Sequence, residues 1–92
     1  MSLVYKVEYS QEARKQLKKL DKQIANTLLS WVESRLLNSE NPRLWGKALT
    51  GSHNEKWRYR VGDYRILCVI KDNIVTIEVV SIGHRREVYV KC

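Results

Sequence analysis

Phenylalanine is absent from this 92-residue chain and proline occurs once, at Pro42. A lone proline leaves nearly all of the sequence free to enter helices and strands, and it excludes proline-rich linkers or recognition tracts. Glycine occurs four times, and the sequence has neither a phosphate-cradling glycine-rich loop nor a nucleophile elbow. The two cysteines are Cys68, inside an apolar run, and Cys92; two thiols so placed make a disulfide framework improbable. Together with His53 and His84 they show no metal-ligand spacing, and no acidic cluster suits magnesium, so neither metal nor cofactor is expected. Carboxylates are also in short supply, with ten Asp and Glu against seventeen Lys and Arg, a net charge of +7. That imbalance selects polyanionic partners, nucleic acid first among them. No apolar run is long enough to span a bilayer. The opening Met1-Ser2-Leu3-Val4-Tyr5-Lys6 lacks the apolar centre and small-residue cleavage site of a secretory signal, so a cytoplasmic protein is expected.

What remains reads as one domain over residues 1–92, large enough to bury roughly 60–65% of the surface of its unfolded chain. Residues 4–9 alternate, with Tyr5, Val7 and Tyr9 on one side and Lys6 and Glu8 on the other, which predicts a half-buried strand. Ser10 is a helix N-cap followed by Glu12, and Ala13, Leu17 and Leu20 recur at helical spacing. Asp21 caps a second helix whose stripe is Ile24, Leu28, Trp31, Val32 and Leu36 and which ends before residues 38–42. The short connection predicts an antiparallel helix hairpin. Residues 42–55 form a connection with a turn at Gly51-Ser52-His53-Asn54. Residues 56–61 and 64–70 are strand-like and separated by Gly62-Asp63, a loop suited to a primed hairpin turn. After a turn at Lys71-Asp72-Asn73, the β-branched run 74–82 predicts a central strand, and Gly83 leads into a short strand or tail through Val88-Tyr89-Val90. The expected fold class is α+β: an N-terminal strand, then two helices packed on a curved antiparallel sheet.

Strict alternation in Lys56-Trp57-Arg58-Tyr59-Arg60-Val61 divides a core face (Trp57, Tyr59, Val61) from a cationic one (Lys56, Arg58, Arg60). With a two-residue loop, Arg60 falls opposite Arg65, and four cations share one face. Like charges so placed repel unless an anion lies between them, which points to phosphate; a solvated face that discourages sheet aggregation is the plainer alternative. A second cluster, His84-Arg85-Arg86-Glu87-Val88-Tyr89, favours phosphate. RNA is cleaved without metal when its 2′-hydroxyl attacks the adjacent phosphate, given a base, cations for the transition state and an acid for the leaving oxygen. His84 is a candidate base or acid, its ordinary pKa being about 6.5, unless it is merely structural. Tyr89 can stack on a base or move a proton. Lys56, Arg58, Arg60, Arg65 and Arg86 are candidate RNA-binding residues. Lys18 and Lys19 belong to a solvated helix face that can also steer RNA. Trp31, Trp45 and Trp57 read as core, with Trp45 in a loop able to meet a partner.

The segment from Arg58 through Ile66 (Arg-Tyr-Arg-Val-Gly-Asp-Tyr-Arg-Ile) and Gly83-His84-Arg85-Arg86-Glu87-Val88-Tyr89 resemble the RelE/ParE superfamily of bacterial toxin–antitoxin systems, the RelE branch above all. Leu17-Lys18-Lys19-Leu20, Pro42-Arg43 and Lys47-Ala48-Leu49-Thr50-Gly51 extend the resemblance over nearly the whole chain. It implies a toxin that enters the ribosomal A site and cleaves translated mRNA without metal, held in check by an acidic, RelB-like antitoxin in an oligomeric complex. By position, the resemblance assigns Lys56, Arg58, Arg65, Arg85 and Tyr89 to the catalytic site, with His84 beside them. Arg58 and His84 each stand where relatives carry lysine, which leaves the general base open. The alternatives are a ParE-like inhibitor of DNA gyrase and a non-catalytic RNA- or ribosome-binding relative.

Overall fold

A computed structural model describes residues 4–48 and 56–84. The expected turn at 51–54, the tail through Val88, and Arg85, Arg86 and Tyr89 lie outside them. The elements run β1 (Lys6–Tyr9), α1 (Gln11–Lys19), α2 (Lys22–Arg35), a 3₁₀ turn at Pro42–Leu44, β2 (Lys47–Ala48), β3 (Lys56–Val61), β4 (Tyr64–Lys71), a second 3₁₀ turn at Asp72–Ile74, and β5 (Thr76–His84).

Both helix starts follow from their caps. The Ser10 hydroxyl accepts from the Ala13 N–H at 3.0 Å, and the Asp21 carboxylate accepts from the Gln23 N–H at 3.1 Å. Lys18 and Lys19 fall in the last turn of α1, where the helix dipole favours cations. The apolar stripe of α2 buries Leu28, Val32 and Leu36, while Ala13 of α1 is fully covered. Both helices thus offer one apolar side to the sheet, as the 3.6-residue period requires.

Among the described residues the sheet has five strands, in the order β1-β5-β4-β3-β2. β5 is paired on both sides, as its continuous apolar run demands. The sheet is mixed, however, because β1 runs parallel to β5, with Val7 beside Ile77 and Tyr9 beside Val79. The antiparallel arrangement expected for the strands after the helices holds throughout β2 to β5. Helices and hairpins carry the chain between β1 and β5, a separation that permits parallel pairing. β5 also begins two residues later than the apolar run, because Val75 adopts a left-handed conformation at φ 50° and interrupts the strand.

One sheet face packs Tyr59, Ile66, Cys68, Ile77, Val79 and Ile82 against Ala13, Leu28, Val32 and Leu36. A bulge interrupts the β4–β5 ladder: Leu67 faces Ser81, but Cys68 faces Val79, leaving Val80 as the extra residue. Gln16 of α1 serves this irregularity, its carbonyl oxygen accepting from the Ile82 N–H and its amide donating to the Ser81 hydroxyl. No helix among the described residues is long and apolar enough to cross a membrane.

Candidate functional site

Gly62 begins the β3–β4 turn at φ 60°, a conformation that glycine accepts without steric cost, and the two-residue loop sets the register. Val61 lies opposite Tyr64, Arg60 opposite Arg65, Arg58 opposite Leu67, and Lys56 opposite Val69. Cross-strand partners share a face. Lys56, Arg58, Arg60 and Arg65 therefore occupy the side of the sheet away from Tyr59 and Ile66, as the alternation predicts. Lys56 and Arg60 are exposed and Arg58 is half-buried. Arg65 differs, being only 4% exposed, with Nη1 donating to the carbonyls of Gly62 at 3.0 Å and Tyr64 at 2.9 Å. Its guanidinium braces the hairpin tip while adding charge to the face.

His84 is not brought to this cluster. It lies opposite Tyr64 in the ladder, and its ring meets the Tyr64 ring edge-on at 5.7 Å. Gly83, rather than His84, stands opposite Arg65. The imidazole thus takes the helix-facing side, where Tyr64 also borders an apolar groove of about 360 Å³ lined by Ile24, Leu28 and Val61. Lys18 and Lys19, exposed on α1, belong to the helix layer and are likewise apart from the hairpin cations.

Sequence reasoning noted Lys47 only as part of the resemblance and gave it no role in the site. β2 is only two residues long, yet it adds an edge strand in which Lys47 lies opposite Arg58 and Ala48 opposite Trp57. Gly46, Lys47, Arg58 and Arg60 line a cavity of about 240 Å³. The signal available in the sequence was Gly46 itself, a glycine placed directly before the one lysine of the 42–55 connection. Among the described residues, no three His, Cys, Asp or Glu side chains gather into a metal-holding cluster.

The connection that carries β2 is held at several points. The buried Tyr59 hydroxyl donates to the Pro42 carbonyl at 2.7 Å, and the Trp57 indole donates to the Trp45 carbonyl at 2.6 Å. The Arg35 guanidinium lies 4.8 Å from the Trp45 ring centre. Arg43 grips Asp72 with two hydrogen bonds of 3.0 Å, and the Tyr5 hydroxyl donates to the same carboxylate at 2.7 Å. Arg43, and after it Tyr5, hold the Asp72 carboxyl below its usual range. The hydrogen bond to Asp72 in turn pushes the Tyr5 phenol up, with burial adding to the effect.

A carboxyl depressed by folding stabilises the protein above its unfolded pKa, about 3.9, and that stability is lost as pH falls through the folded value. A raised phenol contributes below about pH 10 and ceases to do so as pH rises through its folded value. The clasp is therefore strongest between those limits. Its side chains remain 30% exposed at Arg43 and 57% at Asp72, so solvent screening holds the contribution to about 0.5–1 kcal/mol. Asp72→Asn should lower the melting temperature by about 2–6 °C at neutral pH. It should also flatten the loss of stability below about pH 4, as acid-titrated thermal melts would register.

Comparison with known proteins fits this geometry. The family model for the ParE toxin of the type II toxin–antitoxin system parDE matches residues 7–89. The toxin RelE of Mycobacterium tuberculosis is 32% identical over 85 residues, covering 92% of this chain and 86% of that protein. In the toxin–antitoxin complex RelBE2 from the same organism, one chain superposes with a TM-score of 0.79 at 27% identity, covering 92% of this chain and 95% of its own length. The isolated E. coli RelE toxin gives a TM-score of 0.72 at 25% identity, covering 95% of this chain and 93% of that one. With two helices packed on a mixed five-stranded sheet in the same arrangement, the chain belongs to the RelE branch of the RelE/ParE superfamily, the toxins of type II toxin–antitoxin systems.

Proposed function

We propose that this toxin is a ribosome-dependent endoribonuclease that cuts translated mRNA in the A site by metal-independent attack of a 2′-hydroxyl. The observation that carries this reading is the register of the β3–β4 hairpin, which sets Lys56, Arg58, Arg60 and Arg65 on one sheet face. In the reaction the 2′-oxygen loses its proton and bonds to phosphorus. The bond from phosphorus to the 5′-oxygen breaks, and that oxygen takes up a proton. Charge builds on the non-bridging phosphate oxygens meanwhile, and guanidinium groups, charged at any working pH, neutralise it through paired N–H donors. Arg58 and Lys56 take this role directly, Arg65 keeps the hairpin in shape and adds its charge, and Arg85 joins them. Arginine neutralises but does not exchange protons readily. Proton movement is assigned to Tyr89, and His84 to holding Tyr64 at the end of β5.

The partner proposed for the free toxin is an acidic antitoxin of RelB type, whose carboxylates complement a chain of net charge +7. The family model is described by its ParE member, which favours inhibition of DNA gyrase as the second reading. Both are tested by adding the wild-type chain to a translating extract and mapping message ends and DNA breaks. Cuts within translated codons that leave 5′-hydroxyl ends are expected. Intact message sinks the nuclease reading, and gyrase-dependent breaks beside intact message support the second.

A further inference from the structure

We infer that Gly46 and Lys47 build a second phosphate subsite at the β2 edge, where Lys47, with Arg58 and Arg60, takes the RNA backbone phosphate next to the one being cleaved. This rests on the RNA reading above and deepens it. β2 has only two residues, yet it places Lys47 opposite Arg58, and the cavity of about 240 Å³ between them is walled by Gly46, Lys47, Arg58 and Arg60. Among the described residues that line it, three of four are cationic and none is acidic, a composition suited to a phosphate. Because Arg60 also lies opposite Arg65, the cations run without a break from the hairpin tip to the sheet edge, following a polyanion's backbone.

Gly46 makes the subsite possible. Its φ is +78°, and a Cβ there would fall 2.2 Å from the Arg58 carbonyl oxygen and 2.8 Å from Cδ1 of Tyr59. Both the conformation and the close approach require glycine. Any side chain pushes β2 away from β3 and removes Lys47 from its place opposite Arg58. Lys47 is accordingly the phosphate-binding residue and Gly46 the positioning one.

The test is binding of the full chain to a short single-stranded oligouridylate, followed by fluorescence anisotropy across a salt series. Each neutralised phosphate of a single strand contributes about 0.7 to the slope of log affinity on log salt. Lys47→Gln is expected to lose about 0.7 of that slope and to bind about ten-fold more weakly. Lys47→Arg should restore the slope, and Gly46→Ala should reproduce the Lys47→Gln loss with every charge still present. An unchanged slope in Lys47→Gln overturns the inference, as does a wild type with no salt-dependent binding. Cleavage in translating extracts is read separately. Cutting without a Lys47-dependent slope rejects the subsite alone, whereas a Lys47-dependent slope without cutting rejects the nuclease reading and, with it, the subsite's place beside a scissile phosphate, leaving only an RNA-backbone contact at Lys47.

Discussion

Tyr59→Ala should cost about 3–5 kcal/mol of folding stability, the range for deleting a large aromatic side chain from a packed core. Against a total of about 5–15 kcal/mol that leaves the chain partly unfolded at physiological temperature. Tyr59 is 0% exposed, its ring lies 5.5 Å from that of Trp31, and its hydroxyl donates to the Pro42 carbonyl. Burial pushes the phenol well above its ordinary range, so the hydrogen bond is kept in the neutral, donating form. The residue ties the core face of β3 to α2 and to the start of the connection bearing β2. Tyr59→Phe separates these contributions. It keeps the ring and leaves the Pro42 carbonyl without its donor, for a loss of about 1–2 kcal/mol. Urea denaturation of both variants decides the matter: a loss near zero for Tyr59→Phe would show that the connection is held by its other ties, the Trp57–Trp45 hydrogen bond and the Arg43–Asp72 clasp.

The hairpin was legible in the sequence because everything that determines it is local. Strict alternation in residues 56–61 names the two faces, and a glycine-led two-residue loop fixes which residues meet. The partner of β1 was not legible. A period-two pattern tells which way side chains point but says nothing about which strand lies alongside, and the neighbour proved to be β5, about seventy positions later. β2 was hidden for a different reason, since two residues carry no period at all.

His84 shows how one residue can reverse a functional grouping. Along β5, Ile77 and Val79 point into the core, and simple alternation would next turn Ser81 inward and put His84 outward beside the arginines. The extra residue at Val80 shifts the phase, so that Ile82 is buried and His84 falls in with Tyr64. Read as one apolar run, 74–82 hides the shift, although its few polar residues carry the trace: Thr76 and Glu78 are two apart, whereas Glu78 and Ser81 are three apart across the doubled Val79-Val80. The register fixes the bulge at Val80, and Gln16 reaches across from α1 to satisfy it.

That displacement puts the weight of the proposed chemistry on fixed charge, and Arg58→Ala should then lower the single-turnover cleavage rate about 10²–10³-fold, the usual effect of removing one preorganised donor from a developing oxyanion. Arg58 sits in the middle of the cationic face, with Leu67 opposite it on one side and Lys47 on the other. An apolar neighbour on one flank keeps water away and strengthens the field it exerts on phosphate. Arg58→Lys retains the charge but not the planar pair of donors, and about a ten-fold loss is expected. Because a guanidinium does not titrate in the working range, the Arg58→Ala deficit should stay constant across pH, whereas loss of a proton-transfer group would reshape the profile. A deficit that grows or vanishes with pH would make Arg58 part of the proton path instead. Cut sites should stay where they are, since the residue neutralises a phosphate and reads no base.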